Sequence, residues 1–233
     1  MLPLRDNIPS RSTPLVNWAL IGVNTLVFIH QVGLRPAALH QFINTYGLIP
    51  ANLSLAHPST WIPLLTAAFL HGGWFHLISN MWVLFIFGDN IEDRMGHSRY
   101  LGFYLLGGMF ANFLQAIILP KSLVPAIGAS GAIAAVLGGY FLLYPRARIV
   151  TVILIFLFPW VMEISAFIFL GFWFVSQLYS GFLSLSMPAG ASVGGIAWWA
   201  HIGGFIFGMV TVYIFAKRPP PEQNFNRQWP PGV

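Results

Sequence analysis

The residues with the clearest chemical potential lie in one short stretch, Gly-Ala-Ser-Gly at positions 128–131. A polar, proline-containing loop precedes it, and the apolar pattern after it predicts a helix over residues 130–144. Ser130 is therefore expected at a helix N-terminus, where free backbone N–H groups and the helix dipole suit a developing oxyanion. Serine is also a favoured N-cap, so this stretch alone is equally typical of an ordinary helix start.

Three further polar side chains are predicted at a similar depth. His76 and Asn80 are four residues apart and would share one helix face, while His201 lies one turn into the last apolar run. Polar groups inside a membrane are costly and usually face a cavity or one another. Any one of them could be structural, but together they predict that Ser130 and His201 lie within hydrogen-bond reach.

The composition is not that of a soluble globular protein. Of 233 residues, 57% are hydrophobic and 7% are charged, whereas soluble domains carry roughly a quarter charged residues. The absence of cysteine excludes disulfides, thiolate metal sites and a cysteine nucleophile. The net charge of +5 comes from basic residues scattered between apolar runs. This pattern indicates membrane orientation and no nucleic-acid partner.

The apolar runs predict an all-α integral membrane protein with six spans. The predicted spans are residues 15–32, 74–88, 100–119, 130–144, 161–182 and 198–215. Residues 1–14 are a polar N-terminal segment, 15–216 form the membrane domain, and the proline-rich tail 217–233 is expected to be disordered. Residues 33–63 are predicted to be a loop with short interfacial helices, and 149–158 a buried, partly re-entrant connection.

The distribution of Lys and Arg predicts the orientation. With six spans, two basic residues, Arg35 and Lys121, fall on one side of the membrane and nine on the other. The nine are Arg5, Arg11, Arg94, Arg99, Arg146, Arg148, Lys217, Arg218 and Arg227. The positive-inside rule then makes both termini cytoplasmic.

Small residues predict close packing of the fourth and sixth spans. They are Gly131, Ala132, Ala135, Gly138 and Gly139 on the fourth span, and Ala200, Gly203, Gly204 and Gly208 on the sixth. Such faces let helix backbones approach closely, as a Ser–His hydrogen bond between helices requires.

At this point the chain resembles the rhomboid family of intramembrane serine proteases, over about residues 60–215. The matching stretches are FLHGGWFH at 69–76 with Asn80, FGDNIEDR at 87–94, GASGA at 128–132 and WWAHIGG at 198–204. The resemblance implies a six-helix bundle around a water-filled cavity that opens to the non-cytoplasmic side. It also implies that Ser130 is the nucleophile, that His201 is its base, and that His76 and Asn80 help to stabilise the oxyanion.

Two departures from the family pattern stand out. Some members place an aromatic residue four positions after the serine, against the histidine; here that residue is Ala134, so support from Trp198 or Trp199 is expected. Some members also have a Trp-Arg pair in the first loop, where Trp61 is here followed by Ile62. Neither change touches the catalytic set, and we expect an active enzyme.

The residue types predict a dyad mechanism with no cofactor and no metal. His201 would accept the Ser130 proton, and the backbone N–H groups of Ser130 and Ala129 would join His76 and Asn80 as oxyanion donors. No acidic residue is expected beside the base, since Glu163 is predicted in the inner half of the fifth span.

Substrates are predicted to be transmembrane segments that enter sideways from the lipid bilayer and unwind easily. The protein is expected in a bacterial-type plasma membrane, with residues 183–195 as a lid. Two alternatives stay open: a catalytically silent relative that binds or escorts membrane proteins, and a transporter or channel, although no inverted repeat supports the latter. A metal hydrolase is less favoured, since no His-Glu-x-x-His motif occurs.

Overall fold

The computed structural model describes residues 1–155, 158–186 and 196–217. These ranges contain three strands: β1 Leu2–Asp6, β2 Arg148–Ile155 and β3 Phe158–Ser165. The helices are α1 Leu15–Gly33, α2 Pro36–Tyr46, α3 Pro63–Thr66, α4 Trp74–Met95, α5 His97–Ile118, α6 Ser130–Leu143, α7 Ala166–Leu185 and α8 Trp198–Phe215. Short 3-10 turns at Pro50–Asn52, Pro58–Trp61 and Ala67–Phe69 complete the first loop, which was predicted to contain short helices.

Helix α6 lies at the centre of the bundle, because its small apolar residues let α8 approach on one side and α4 and α5 on others. A Cβ added to Gly204 would lie 2.0 Å from the carbonyl oxygen of Gly131. One added to Gly208 would lie 2.0 Å from the Ala135 carbonyl oxygen. The predicted close packing of these two helices is therefore confirmed.

Within the described residues, four helices are long and apolar enough to cross a membrane, namely α1, α5, α7 and α8. Helix α4 joins the preceding segment Pro58–Phe69 at an angle of 79°, and counting this bent pair gives five. Helix α6 has 14 residues, or roughly 21 Å at 1.5 Å per residue, which is shorter than the ~30 Å hydrocarbon core. The protein is thus a mostly helical integral membrane protein, and the count of six spans stays a prediction.

The second predicted span was too short. Helix α4 does not end at Gly88 but continues to Met95, so the acidic stretch after Gly88 is helical and largely buried. The reason is that Glu92, 1% exposed, accepts hydrogen bonds from the backbone N–H groups of Val16 (3.0 Å) and Asn17 (2.8 Å). A carboxylate from α4 therefore caps the N-terminus of α1.

The all-α prediction was wrong for three segments, which form an antiparallel sheet in the order β1-β2-β3. Leu2 pairs with Val152 and Asp6 with Ile149, so the predicted N-terminal segment is tied to the chain after α6. The run RIVTVILI of β2 is rich in β-branched residues, which favour strands. Pairing on both sides of β2 satisfies its backbone polar groups without a re-entrant segment.

The hairpin of β2 and β3 also corrects the fifth span. Helix α7 begins at Ala166 rather than at residue 161, and Ser165 caps it by accepting a hydrogen bond from the Ile168 N–H at 3.4 Å. Glu163 consequently lies in β3 and not in a span. The predicted burial of 149–158 is also wrong in part, because Leu154 and Phe158 are exposed.

Several basic residues lie at the end of the bundle opposite Ser130, where their backbone groups make hydrogen bonds. The Lys217 N–H donates to the Arg94 carbonyl at 2.9 Å, and the Arg148 N–H donates to Asn7 Oδ1 at 2.8 Å. The predicted tail lies outside the described residues from position 218. Of the predicted lid, residues 183–185 belong to α7, and 187–195 lie outside the described residues.

Candidate active site

Ser130 is the first residue of α6 and is partly exposed. The chain reaches it through Gly128, whose N–H donates to the Ala67 carbonyl at 2.9 Å and whose φ is +127°, a conformation that favours glycine. Ala129 follows as a fully buried N-cap that offers no side-chain hydrogen bond to the helix. The hydroxyl of Ser130 is therefore presented at a helix N-terminus, as predicted.

His201 lies in the first turn of α8, directly across from Ser130. Its Nε2 atom is 2.8 Å from Ser130 Oγ, which is within hydrogen-bond distance. The neighbouring Ala200 N–H donates to Gln115 Oε1 of α5 at 3.2 Å, which ties the start of α8 to the bundle. The expected contact between the serine and the histidine is present.

His76 and Asn80 face the same turn from α4. A Cβ on Gly128 would lie 2.7 Å from His76 Nε2 and 3.6 Å from Asn80 Nδ2, so both side chains line the backbone just before Ser130. His76 Nδ1 is 3.4 Å from the Gly72 N–H and acts as its acceptor, which leaves the proton on Nε2. Asn80 Nδ2 is buried and has no acceptor among the described residues. Both are thus N–H donors aimed at the site.

The side chain of His71 packs against that of His76. Its ring is edge-on to that of His76, with centroids 5.1 Å apart. The side-chain amide of Gln31 in α1 binds its backbone twice, accepting from the N–H at 3.0 Å and donating to the carbonyl at 3.2 Å. Sequence reasoning missed Gln31, although it is a polar residue near the end of an apolar span.

Two residues of α7 also contact the histidine, and sequence reasoning missed both. Gln177 Oε1 is 2.8 Å from His201 Nδ1, and the Trp173 ring lies 5.9 Å from the His201 ring at an interplanar angle of 31°. Of the two expected tryptophans, Trp198 makes an edge contact with His201 at 6.1 Å. Trp199 instead packs edge-on against Phe182, with centroids 5.5 Å apart.

The sequence feature that could have pointed to Gln177 was the polar pair Ser176-Gln177 inside an otherwise apolar run.

Both ring nitrogens of His201 have a hydrogen-bond partner, Gln177 on one side and Ser130 on the other, so neither binds a carboxylate. Within the described part of the chain, no cluster of three His, Asp or Glu side chains could hold a metal. The arrangement can accept a serine proton and donate N–H groups to an oxyanion.

The sequence of this chain is similar to those of known proteins. A family model described as the rhomboid domain matches residues 58–218. Rhomboid-like protein 11, chloroplastic, of Arabidopsis thaliana is 29% identical over 201 residues, covering 84% of this chain and 67% of that protein. Rhomboid protein 1, mitochondrial, of Saccharomyces cerevisiae is 30% identical and covers 61% of this chain and 39% of its own length.

Human presenilin-associated rhomboid-like protein, mitochondrial, is 29% identical over 137 residues. That match covers 58% of this chain and 34% of the human protein, so this chain spans well under half of the two mitochondrial relatives. The family match nevertheless extends over more than half of this chain and includes all four predicted site side chains. The chain belongs to the rhomboid family.

Proposed function

We propose that this protein is a serine-type intramembrane endopeptidase that cleaves transmembrane segments of other membrane proteins. The observation that carries the proposal is the 2.8 Å contact between His201 Nε2 and Ser130 Oγ at the N-terminus of α6. The N–H groups of His76 and Asn80 line the same turn, where the negative charge of an acyl-transfer intermediate would develop.

In the first half of the reaction, Ser130 Oγ attacks the scissile carbonyl carbon while His201 Nε2 takes the hydroxyl proton. The carbonyl oxygen becomes an oxyanion and is held by the backbone N–H of Ser130 and by the donors on α4. The backbone N–H of Ala129 is a further candidate donor. When the C–N bond breaks, the imidazolium gives its proton to the leaving amine, and an acyl-enzyme ester remains on Ser130.

In the second half, water replaces the amine. His201 removes a proton from water as its oxygen attacks the ester carbonyl, and the proton then passes to Ser130 Oγ as the ester C–O bond breaks. The products are a new carboxylate end and a new amine end, and the enzyme returns to its starting state. Neither half needs a cofactor or a metal ion.

The substrate class follows from the place of the site in a membrane protein. An intact helix hides its carbonyls in hydrogen bonds, so a substrate helix entering from lipid must unwind before Ser130 can attack. Small residues at the cut and a Gly or Pro beyond it would ease this unwinding. The short α6 helix supports a site below the membrane surface, and the partial exposure of Ser130 supports access by water.

The proposed topology has six spans, with α4 and α6 counted, and with both termini on the cytoplasmic side. It is supported by the basic residues that gather at the end of the bundle opposite Ser130. The sequence predicted a bacterial-type plasma membrane, whereas the names of the relatives, which are chloroplastic and mitochondrial, favour an organellar membrane. Cell fractionation and tag accessibility at each terminus test the compartment and the orientation.

The proteolytic reaction is tested by cleavage of a model transmembrane substrate in liposomes. The native protein should cut it and Ser130→Ala should not, because the variant lacks the nucleophile. Thr25→Ala is a control, since the Thr25 hydroxyl donates to the Ile21 carbonyl of its own helix α1 at 2.8 Å. Equal cleavage by the native protein and Ser130→Ala would overturn the proposal.

The second candidate is a catalytically silent protein that binds other membrane proteins, as family membership alone permits. A phosphonylating probe separates the two, since it reacts only with an activated serine. Labelling of Ser130 in the native protein, and its loss in His201→Ala, would support the protease. Failure of the native protein both to label and to cleave would favour the silent protein.

A further inference from the structure

The proposed base, His201, has a buried hydrogen-bond partner on α7. This helix is the least buried of the described apolar helices that are long enough to span a membrane. Gln177 of α7 is 5% exposed, and its Oε1 atom lies 2.8 Å from His201 Nδ1. A buried amide is costly unless its donors and acceptors are paired. The partners of the amide nitrogen therefore decide which atom of Gln177 faces His201.

The amide nitrogen of Gln177 is fixed by two neighbours in its own helix. Nε2 lies 3.2 Å from the Trp173 carbonyl oxygen and 2.9 Å from Ser176 Oγ. The Ser176 hydroxyl itself donates to the Trp173 carbonyl at 2.6 Å, so its lone pair is free to accept from Gln177. Because a carbonyl can only accept, the nitrogen must be the atom on this side and the oxygen the atom facing His201.

This orientation determines the tautomer of His201. Gln177 Oε1 can only accept, so the Nδ1 atom opposite it must carry the proton. The lone pair of a neutral His201 is then on Nε2, the atom 2.8 Å from Ser130 Oγ. The tautomer that Gln177 selects is the one that can remove the serine proton.

The same helix supplies the ring that packs on the histidine. Trp173 is four residues before Gln177, so the two side chains share one face of α7. Its ring lies 5.9 Å from His201 and is tilted by 31°. The residue four positions after Ser130, Ala134, is fully buried and too small to reach the histidine. Support for His201 thus comes from α7 rather than from α6.

We infer that Gln177 is the positioning residue of the catalytic base, holding His201 in the Nδ1–H tautomer, and that Trp173 holds the plane of its ring. The inference rests on the proposed function. It makes an uncharged amide do part of what a carboxylate does in a catalytic triad. It also ties the competence of the base to the position of α7.

The first test compares two substitutions at position 177. Gln177→Leu removes the acceptor, and we expect kcat for the model substrate to fall at least about tenfold with KM little changed, since wrong-tautomer variants of serine proteases lose up to ~10⁴. Gln177→Glu restores an acceptor and adds a negative charge that stabilises the imidazolium. It should retain more activity than Gln177→Leu and move the acid limb of the pH–rate profile to higher pH.

The matched control is Tyr179→Leu, which changes α7 on its outer face, where Tyr179 is 71% exposed. It should leave kcat and the pH–rate profile unchanged. Thermal unfolding in detergent checks that each variant is folded. If Gln177→Leu and Gln177→Glu had the same kcat and the same acid limb as the native protein, the positioning role would be excluded.

A spectroscopic test does not depend on protease activity. The chain has seven histidines, so ¹⁵N spectra of histidine-labelled protein can be assigned for His201 by difference with His201→Gln. The native spectrum should show the Nδ1–H tautomer, and Gln177→Leu should shift the population toward Nε2–H. An unchanged tautomer would overturn the inference even if the protein cleaves. A tautomer shift in a protein that does not cleave would instead overturn only the proposed function.

Discussion

At the scale of single residues, the site separates proton transfer from charge stabilisation. In the proposed mechanism Ser130 and His201 exchange the proton, whereas His76 and Asn80 lie on a different helix and offer only N–H groups toward the turn. His76 Nδ1 is already an acceptor for the Gly72 N–H, so His76 cannot hold its proton there and act as the base through Nε2 at once. Substitutions at the two kinds of residue should therefore have different effects on cleavage and on the reactivity of Ser130.

Replacing an oxyanion donor should slow cleavage without disarming the serine. For Asn80→Ala we expect a loss of about 10²–10³ in the cleavage rate, or less if the other donors compensate, because one N–H no longer meets the oxyanion. Ser130 should still react with a small phosphonylating probe. In His201→Ala, both cleavage and labelling should be nearly lost.

The reverse order would contradict these roles. If Asn80→Ala were silent while His76→Ala abolished labelling of Ser130, His76 would be the working base.

Two features of position 128 require glycine: its positive φ angle and the short distance to the His76 ring. Gly128→Ala would strain a backbone at φ +127° and bring a Cβ to 2.7 Å from the His76 ring. We expect a destabilisation of about 1–3 kcal/mol and reduced cleavage, measured by thermal unfolding in detergent and by the liposome assay. Gly22→Ala is the control, since a Cβ there meets nothing within 4 Å. Equal stability of Gly128→Ala and Gly22→Ala would contradict this.

At the scale of elements, the contact of α6 with α8 determines whether the serine and the histidine meet. Gly204→Ala would place a Cβ 2.0 Å from the Gly131 carbonyl oxygen and push the two helices apart. We expect a loss of about 1–3 kcal/mol in the free energy of unfolding, together with loss of probe labelling at Ser130. Thermal unfolding and labelling of the same sample measure both.

Gly171→Ala in α7 is the control for that substitution. Its Cβ would lie 3.8 Å from the Phe141 ring, an ordinary contact, so stability and labelling should be close to native. If Gly204→Ala labelled as well as Gly171→Ala, close approach of α6 and α8 would not be needed to bring the dyad together.

The sheet was not predictable in the way the dyad was. Ser130, His76 and His201 stand out locally, because each is a polar residue beside an apolar run. The apolar stretch before α7 is compatible with a strand or a membrane segment, and apolar runs do not distinguish the two. One of the two partners of β2 is β1, about 150 residues away, and no local pattern indicates that pairing.

Gln177 was missed for a related reason. The predicted fifth span began five residues too early, so the depth of Gln177 in the membrane was misjudged and it was not grouped with Ser130. A single glutamine in an apolar helix indicates a buried polar contact, but not its partner. That partner, His201, lies on another helix, and only the packing of α7 against α8 brings the two together.

At the scale of the whole molecule, the N-terminal strand is held to the bundle by a partly buried carboxyl group. Asp6 of β1 accepts hydrogen bonds from the hydroxyl of Tyr140 in α6 and from Asn90 Nδ2 at 3.1 Å. Burial raises the pKa of Asp6 to about 7, against the opposing effect of the Tyr140 hydrogen bond. The folded protein therefore takes up a proton here that the unfolded chain does not bind until lower pH.

The sign of the pH effect follows. The contribution of Asp6 to stability is greatest below its unfolded pKa and declines as pH rises to about 7. Between pH 8 and pH 5 the native protein should gain stability relative to Asp6→Asn, which keeps an acceptor but cannot titrate. Melting temperatures of both proteins at the two pH values measure this, and parallel pH dependence of the two proteins would contradict it.

The pairing of Leu2 with Val152 also constrains the order in which the protein can be made. At about 5–20 residues per second, a ribosome needs roughly 8–30 s to synthesise the residues between them. During that time β1 has no strand partner, while α1, α4, α5 and α6 are all completed. The sheet can therefore close only after the helix that carries Ser130 has been synthesised. It can close before the chain has reached His201, so the N-terminal strand can pair while Ser130 still lacks its histidine partner.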